Sequence, residues 1–409
     1  MSELKQTVLF DAHVKAGATM VDFGGWHMPI QYPTGIITEH LACRKGCGIF
    51  DVSHMGRIRI RGKDRLAFVQ YVLTNNAASL KIKHAQYTII ADENGCAIDD
   101  AYLYRFELDE YLLVINAGNI EKDMAHLRKV AEKFDVELKD ISGKWGAIAV
   151  QGPMSNAVLA KVADCEVNED PVPHNRLHTL RIAGREVYLG ITGYTGEPIG
   201  YELYVHTDDA EFFWNRLVEC GATPIGLGAR DTLRMEAVMP LYGHEMGECK
   251  FGGEIAIYAV PLARFAVSEA KGDFIGRDAL MKQRADFEKI RNREYDSLEV
   301  LHYRTLPIAL TGKGVLRAGC DIFDKASGER IGYVTSGTMI PYYKTEGEGE
   351  TLRQTDEVGK RSIGMAYIRS NLRKGQEILI DIRGKQVPGV ITGRHIDVSN
   401  GRFARPVLF

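Results

Sequence analysis

Two adjacent aspartates lie inside a segment that otherwise has the pattern of a β-strand. Asp99 and Asp100 belong to NGCAIDDAYLYR (94–105), in which Asn94-Gly95 is a turn signal. Aspartate is a poor strand residue and is rarely buried without a partner. Because neighbouring strand residues point to opposite faces, one carboxylate can face inward, where it could bind an N–H-bearing ligand or act as an acid or base. A pair that ends the strand or accepts hydrogen bonds from turn amides fits the pattern equally well.

A glycine-rich stretch supplies a second set of candidate groups. In GITGYTGEPIGYELYV (190–205), glycines surround Tyr194, and Tyr201-Glu202 follows. Glycines allow close approach of the backbone to a ligand, while a tyrosine and a glutamate supply a stacking face and a hydrogen-bond acceptor. Taken alone, the stretch is better explained as a glycine-rich hairpin.

Two arginines on a predicted helix are the third candidate. Arg230 and Arg234 in GARDTLRMEA (228–237) are four residues apart and share a helix face. A guanidinium there could bind a carboxylate through two parallel hydrogen bonds. An ion pair between Asp231 and Arg234 is at least as good an interpretation.

Common catalytic and metal-binding signatures are missing. The sequence has no G-x-S-x-G motif, no P-loop and no H-E-x-x-H motif. His54, in DVSHMG, has no second ligand nearby, which favours a hydrogen-bonded structural histidine. Cys43 and Cys47 also lack further ligands at metal-binding spacing and are interpreted as two core thiols.

Length and composition indicate a soluble globular protein of more than one domain. The chain has 409 residues, of which 45% are hydrophobic and 26% charged, with a formal net charge of -3. Two or three domains are expected, and the near-neutral charge gives no nucleic-acid footprint. The cysteines number seven and are scattered, which favours free thiols in a reducing compartment. With no signal peptide at the start and no apolar run of about 18 residues, the protein is predicted to be cytoplasmic, without a membrane span.

Hydrophobic periodicity predicts two rounds of strands and helices. The first round has a helix at 36–48, then a strand that alternates Ile58 and Ile60 with arginines, then a three-strand meander. The meander comprises strands at 86–92, 97–106 and 111–116. A second round follows between 145 and 221. Because strand pairs alternate with single helices, the body is predicted to be α+β.

The C-terminal part of the chain changes character. From about residue 298 onward, short strands with turn signals predict a small β-barrel or sandwich. The highly charged segment 281–297 is predicted to contain the link, so the body is assigned to 1–290 and the last domain to 298–409. The stretch KTEGEGETLRQTDEVGK (344–360) is polar and lacks apolar periodicity, and is predicted to be an exposed, mobile loop.

Taken together, these stretches resemble the aminomethyltransferase family, the T-protein of the glycine cleavage system. The resemblance rests on MVDFGGWHMPIQY, FDVSHMG, NGCAIDDAYLY, AIAVQGP, GYTGE…GYE, GLGARDTLRMEA…LYGHEM, GDFIGRDAL, GKGVLR and GYVTSGT, in the family's order over about residues 1–340. It implies a three-domain cloverleaf around a central cavity. Two interleaved α+β folate-binding domains would form the body, and a small β-barrel the C-terminal domain.

The resemblance also implies a reaction and its partners. The family starts from an aminomethyl group carried on the lipoyl arm of the H-protein. Ammonia is released, the one-carbon unit passes to tetrahydrofolate, and 5,10-methylenetetrahydrofolate forms. The expected partners are the lipoylated H-protein, bound transiently, and tetrahydrofolate as cosubstrate, with no metal, no nucleic acid and no membrane.

Matching the family's motifs residue by residue implies individual roles. Asp99 is implied to be the functional aspartate, which would hold the reacting pterin nitrogens, with Asp100 as its structural neighbour. Glu202 would accept a hydrogen bond from the amino edge of the pterin, and Arg230 would meet the carboxylate of the folate tail. The other residues implied to line the folate pocket are Met55, Tyr87, Tyr104, Asn116 and Tyr194.

Two other functions stay open. Segment 247–267 departs from the family pattern, which motivates a tetrahydrofolate-dependent demethylase that takes a methyl group from a small O-, S- or N-methyl compound. The third interpretation is a non-catalytic folate-binding regulatory or repair protein on the same fold. The presence of Asp99 argues against that third interpretation.

Overall fold

Strands and helices alternate through the body of the molecule, as the periodicity predicts. The computed structural model describes residues 3–163 and 174–408. The α-helices of these ranges are α1 (Phe10–Lys15), α2 (Ile36–Lys45), α3 (Arg65–Val72), α4 (Ile120–Ala131), α5 (Ser155–Ala163), α6 (Ala210–Glu219), α7 (Leu227–Glu236), α8 (Ala263–Ala266) and α9 (Arg277–Asn292). The body strands are β1 (Lys5–Gln6), β2 (Thr19–Phe23), β3 (Trp26–Gln31), β4 (Gly48–Asp51), β5 (Gly56–Arg61), β6 (His84–Ala91), β7 (Ala97–Glu107), β8 (Glu110–Ile115), β9 (Glu137–Asp140), β10 (Trp145–Gln151), β11 (Arg176–Ile182), β12 (Arg185–Ile191), β13 (Gly200–His206), β14 (Thr223–Pro224), β15 (Gly247–Glu248) and β16 (Glu254–Ile255).

One sheet joins the two predicted rounds of strands. Within the described ranges it has 11 strands, in the order β14-β4-β10-β13-β12-β11-β6-β7-β8-β5-β9. The predicted meander is confirmed as β6, β7 and β8, and Gly95 takes the positive φ that the β6–β7 turn requires. Ile90 lies opposite Asp99 in this pairing, and Ile89 lies opposite Asp100. The register therefore assigns the two aspartates to opposite faces of the sheet.

Apolar residues on one face of these strands pack under helices. Ile58 and Ile60 of β5 and Leu113 of β8 are fully buried with Phe68 of α3 and Leu127 of α4. Each such side chain stabilises the fold by about 1.5–3 kcal/mol relative to exposure. The other face of the same strands is left for the residues that line cavities.

The predicted C-terminal β-barrel is confirmed. Its strands are β17 (Tyr303–Leu310), β18 (Asp321–Asp324), β19 (Arg330–Glu346), β20 (Arg353–Arg369), β21 (Glu377–Ile382) and β22 (Lys385–Ile391), followed by the pair β23 (Ile396–Asp397) and β24 (Arg405–Pro406). The barrel closes in the order β17-β20-β19-β18-β21-β22. Inward-facing residues such as Ile308, Val334, Ile368 and Ile380 are fully buried and form its core.

The prediction of a loop at 344–360 was wrong, although most of the segment is exposed as predicted. β19 and β20 continue as a long hairpin arm beyond the barrel, with Thr345 paired to Gln354 and Glu346 to Arg353. The arm lacks apolar periodicity because ion pairs such as Arg353 with Glu346 line it and its side packs on α2. The side-chain amide of Gln354 donates a hydrogen bond to the carbonyl of Arg44 at 3.0 Å.

The charged segment before the barrel is mostly helical. Within 281–297, α9 continues to Asn292, and Asp286 accepts hydrogen bonds from the backbone N–H groups of Glu299, Val300 and Leu301. This carboxylate fixes the chain where it enters the barrel. The division into 1–290 and 298–409 stays a prediction. No helix in the described ranges is long and apolar enough to cross a membrane.

Candidate active site

A cavity of about 280 Å³ opens on the inner face of the sheet. We call it the central cavity. Its walls combine acidic, basic, aromatic and apolar side chains from both rounds of strands. The residues that line it are Met55, Tyr87, Asp100, Ala101, Tyr102, Val114, Asn116, Thr192, Gly193, Tyr194, Glu202, Arg230, Met239, Pro240, Leu241, Leu262 and Phe265.

Only the second residue of the aspartate pair lines the cavity wall, although the family resemblance implies that the first is the functional one. Asp100 lines the central cavity, whereas Asp99 is fully buried behind it. One oxygen of Asp99 accepts a hydrogen bond from the backbone N–H of Asn116 at 3.0 Å. The other accepts from the side-chain amides of Asn116 at 2.8 Å and Asn119 at 2.6 Å. Strand alternation predicts that the two side chains diverge, but the curvature of the sheet decides which of them faces inward.

Asn116 connects the two aspartates. Its side-chain amide donates to Oδ1 of Asp99 and to Oδ1 of Asp100, each at 2.8 Å. The amide group thus holds Asp100 in one orientation and is itself oriented by Asp99. Asn116 also lines the central cavity, as predicted.

The environment of Asp100 favours its protonated form. Burial, and then the charge of Asp99, raise the pKa of Asp100 to about 7, while the hydrogen bond from Asn116 acts in the opposite direction. Tyr87 lies beside this carboxyl group. Burial, and then the charge of Asp100, raise the pKa of the tyrosine. A carboxyl group that titrates near neutral pH is suited to exchange a proton with a ligand.

A third carboxyl group lies behind the pair and was not predicted. Asp123 of α4 is fully buried, and its carboxyl group lies beside that of Asp99. Burial and the neighbouring Asp99 raise the pKa of Asp123 to about 9, so this group is protonated at neutral pH. The signal was present in the sequence, because Asp123 lies on the helix face that carries Ile120 and Leu127.

Glu202 faces the central cavity from β13. The strand pairs with β10 in unbroken register, with Glu202 opposite Ala149. The hydroxyl of Tyr204 donates to Oε2 of Glu202 at 2.8 Å. Burial raises the pKa of Glu202, and the charges of Arg230 and Arg57 partly offset that effect.

Tyr104 was predicted to line the pocket but lies outside the cavity lining. It is fully buried, and its hydroxyl is 3.4 Å from that of Tyr204. Gly190 makes room for it, because a Cβ there would lie 2.6 Å from the Tyr104 hydroxyl. Tyr102, two residues earlier on β7, lines the cavity instead. The sequence pattern does not distinguish the two tyrosines. Only the packing of the folded chain shows that Tyr102 lines the cavity and Tyr104 is buried behind it.

Arg230 is a cation without a carboxylate partner among the described residues. Its guanidinium lies 4.9 Å from the ring centre of Tyr194, and both residues line the central cavity as predicted. Burial lowers the pKa of Arg230, and the nearby Tyr194 and Glu202 act against that shift. Arg234, by contrast, forms ion pairs with Asp231 and Glu245, each at 2.8 Å. The alternative interpretation of this stretch as an ion pair therefore holds for Arg234.

The remaining cavity residues are mostly apolar. Met55 and Tyr87 line the cavity as predicted, and Tyr194 donates its hydroxyl to the carbonyl of Pro240 at 2.5 Å. Leu262 and Phe265, from the segment that departs from the family pattern, form part of the wall. Sequence patterns did not indicate these two residues, because Phe265 lies in the four-residue helix α8 and Leu262 immediately precedes it.

His54 and the cysteines were assigned structural roles. His54 is buried beside Phe23, but neither ring nitrogen has a hydrogen-bond partner among the described residues, so the predicted hydrogen bonding was wrong. Burial lowers the pKa of His54 to about 3 and keeps it neutral. Cys43 and Cys47 are buried thiols, as predicted. The described residues contain no group of three or more His, Cys, Asp or Glu side chains that could hold a metal ion.

Comparisons with known proteins agree with this architecture. Residues 9–251 match the family described as the GCVT N-terminal domain. An aminomethyltransferase of Thermus thermophilus is 39% identical over 389 residues, which cover 95% of this chain and 98% of that protein. An aminomethyltransferase of Staphylococcus haemolyticus is 38% identical over 397 residues, covering 96% and 98%.

A solved structure extends the similarity to the whole fold. The glycine cleavage system aminomethyltransferase T from Bartonella henselae matches with a TM-score of 0.78 and 28% sequence identity, covering 98% of this chain and 100% of that chain. The likeness includes the C-terminal strands as well as the body. The chain therefore belongs to the aminomethyltransferase family, the T-proteins of the glycine cleavage system.

Proposed function

We propose that this chain is the tetrahydrofolate-dependent aminomethyltransferase of a glycine cleavage system. It would release ammonia from the aminomethyl-lipoyl H-protein and form 5,10-methylenetetrahydrofolate. The observation that carries the proposal is a central cavity that combines two acidic side chains with one cation, none of them ion-paired within the described residues. Family membership supplies the reaction class.

The lining of the central cavity fits the chemistry of tetrahydrofolate. The pterin offers N–H donors, for which Asp100 and Glu202 are acceptors. Its flat ring system suits the aromatic walls formed by Tyr87 and Tyr194. When bound, tetrahydrofolate supplies the nucleophilic nitrogens that receive the one-carbon unit.

Asp100, rather than Asp99, is the group that we assign to the reacting nitrogens. Its carboxyl group would accept a hydrogen bond from a pterin N–H and take up or return a proton during transfer. Asp99 would act through Asn116, whose side-chain amide donates one 2.8 Å hydrogen bond to Asp99 and one to Asp100. Because these groups are preorganised before the substrate binds, little reorganisation is needed during the reaction.

Glu202 and Arg230 would orient the ligand. We propose that Glu202 accepts from the amino edge of the pterin, helped by the hydrogen bond from Tyr204. Arg230 would donate a hydrogen bond to an oxygen of folate. One candidate is the carboxylate of the tail. The other is the pterin carbonyl, because the charge of Arg230 acts on Glu202, which we assign to the pterin. Comparing Arg230→Gln on tetrahydrofolate and on a tetrahydropterin without the tail distinguishes these partners, since only the second assignment predicts weaker binding of both.

The proposal also covers the source of the one-carbon unit and the cellular compartment. Lipoylated H-protein is the expected transient partner, and the cytoplasm the expected location. The apolar wall that includes Leu262 and Phe265 is the part of the cavity built by the altered segment. A demethylase using a small methyl compound is therefore tested alongside the main proposal.

Single-turnover assays with the full chain test the proposed function. One arm contains tetrahydrofolate and aminomethylated H-protein, and the other contains tetrahydrofolate and a panel of O-, S- and N-methyl compounds. Ammonia together with methylenetetrahydrofolate in the first arm supports the aminomethyltransferase. Methyltetrahydrofolate in the second arm alone would overturn it in favour of the demethylase, and folate binding without turnover in either arm would indicate the non-catalytic protein.

A further inference from the structure

A second cavity lies on the same inner face of the sheet, beyond the floor of the central cavity. Its volume is about 260 Å³, and we call it the basic cavity. The residues that line it are Arg57, Arg59, Arg61, Phe106, Glu107, Glu110, Leu112, Lys139, Ile141, Lys144, Trp145, Tyr188 and Tyr204.

The two cavities share strands. β13 contributes Glu202 to the central cavity and Tyr204 to the basic cavity, while β8 contributes Val114 to the first and Leu112 to the second. Residues two apart on a strand point to the same face, so the cavities follow one another along a single surface. Tyr204, packed against the buried Tyr104 at a ring separation of 5.9 Å, forms the partition.

The acidic residues of the basic cavity already have partners, whereas most of the basic ones do not. Glu110 pairs with Arg61, and Glu107 pairs with Lys83 outside the cavity. Among the described residues, none of the other lining cations forms an ion pair. These cations are Arg57, Arg59, Lys139 and Lys144.

The strand register places two of these cations against each other. Arg59 of β5 lies directly opposite Lys139 of β9. Like charges at directly opposed positions destabilise a sheet, and here no carboxylate of the cavity lining is left to compensate them. A bound anion would remove this repulsion.

Arg57 adds a positive charge at the base of the basic cavity. It is almost fully buried, and its Nη2 donates to the carbonyls of Ser53 at 3.0 Å and Ser142 at 2.8 Å. Its Nε and Nη1 have no hydrogen-bond partner among the described residues. The charges of Asp51, Asp140 and Glu202 act on Arg57 without forming an ion pair with it, and unsatisfied N–H groups on a buried guanidinium are costly.

Aromatic side chains complete the wall. The ring of Tyr188 lies 4.6 Å from that of Phe106 and 5.1 Å from that of Trp145. These rings provide an apolar surface beside the cations. An inorganic ion would make no favourable contact with that surface. A ligand with both an anionic and an apolar part fits this arrangement better than either alone.

We propose that the basic cavity binds a small organic anion that carries carboxylate or phosphate groups on an aromatic or apolar body. Arg59 and Lys139 hold the anionic groups, and Trp145, Tyr188 and Phe106 contact the body. This site is separate from the folate and aminomethyl sites and does not depend on the proposed function.

Calorimetric titration of the full chain tests the proposal without folate or H-protein. The probes are isophthalate, phenyl phosphate, inorganic phosphate and, for ionic strength, sodium chloride. We expect saturable binding of isophthalate or phenyl phosphate, with the stronger of the two identifying the carboxylate or phosphate class. Inorganic phosphate is expected to bind at least about tenfold more weakly, since it lacks the apolar contact.

A charge-matched pair of variants distinguishes a site from general electrostatic attraction. Removing both opposed cations in R59Q/K139Q is expected to weaken binding at least about tenfold, because each charge-assisted hydrogen bond is lost. The control K282Q/K313Q removes two exposed cations elsewhere and should change the affinity less than about twofold. The proposal is overturned if neither aromatic probe binds, or if both variants weaken binding equally. Binding of inorganic phosphate as tight as that of phenyl phosphate would overturn the assigned ligand class.

Discussion

The central cavity and the basic cavity lie on the same face of one sheet, yet they handle crowded charges in opposite ways. Asp100, in the wall of the central cavity, lies close to Asp99 and Asp123, which are fully buried behind it. In the basic cavity, Arg59 and Lys139 oppose each other where solvent can reach them. Tyr204 lies between the two groups of charges, because it lines the basic cavity and donates a hydrogen bond to Glu202 of the central cavity.

Burial explains the difference. Ionised groups are expensive in a low-dielectric interior, so carboxyl groups there take up protons, and the pKa values of Asp100 and Asp123 rise to about 7 and about 9. Apart from the buried Arg57, the cations of the basic cavity are within reach of solvent, and only solvent or a bound anion can balance their charges. A cavity of buried acids is thus suited to proton exchange, and one of accessible cations to anion binding.

The largest expected effect comes from the acid that faces the central cavity. Asp100→Asn keeps the shape but removes the proton acceptor, so single-turnover transfer should fall by roughly 10²–10⁴-fold. Tetrahydrofolate affinity should stay within a few-fold, because the amide still fits the site. Rapid-quench measurement of methylenetetrahydrofolate gives the rate, and calorimetry gives the affinity.

Asp99→Asn is the matched control for that experiment. It removes a neighbouring charge, which lowers the pKa of Asp100, so the acid limb of the kcat/KM profile should move to lower pH. Its effect on the rate at pH 8 should be smaller than that of Asp100→Asn. Wild-type turnover in Asp100→Asn together with a large loss in Asp99→Asn would restore the sequence-based assignment of Asp99.

The third acid should affect stability rather than turnover. The folded chain keeps a proton on Asp123, whose pKa is about 9, while the unfolded chain loses it near pH 4, so wild type loses stability as pH rises between these values. Asp123→Asn cannot ionise and should be more stable than wild type by roughly 2–4 kcal/mol at pH 8 and by less at pH 5. Urea unfolding at both pH values measures this. An equal change at both would contradict a protonated Asp123, and exposed Asp109→Asn serves as the control.

Tyr204, which lies between the two cavities, should affect tetrahydrofolate binding through its hydroxyl group. Tyr204→Phe removes the hydrogen bond to Glu202, and tetrahydrofolate should bind about tenfold more weakly, since a donor to a carboxylate is lost. Tyr188→Phe is the control, because its hydroxyl bonds the exposed Glu186 instead. Calorimetric titrations of both variants with tetrahydrofolate test the comparison. Equal affinities would separate Tyr204 from the folate site.

The smallest effect concerns the opposed cations. R59Q/K139Q should raise the free energy of unfolding by a few tenths of a kcal/mol at low salt, because cross-strand repulsion is removed. The gain should disappear at high ionic strength, where the charges are screened. Urea unfolding at two salt concentrations provides the measurement. A loss of stability at low salt would mean that the two side chains do not repel each other in the folded chain.

Hydrophobic periodicity and turn signals predicted most of the strands and helices that carry the two cavities, but not the hairpin arm of the barrel or the buried Asp123. The meander, the helix at Ile36–Lys45 and the barrel strands all followed from periodicity and turn signals. The hairpin arm around Thr345 and Gln354 did not, because its strands are held by pairing and ion pairs and not by an apolar face. Asp123 was missed, although its place on the buried face of α4 could have indicated it.

The sequence by itself determined the family, the α+β body with its barrel, and the residue types available for chemistry, because motif order and hydrophobic period are properties of the chain. The tertiary structure decided that Asp100 and Tyr102 line the central cavity while Asp99 and Tyr104 support it. It also assembled the basic cavity from strands far apart in the chain. Alternation along a strand says only that neighbours diverge. Which of them faces inward depends on how distant strands pair and how the sheet curves around its contents.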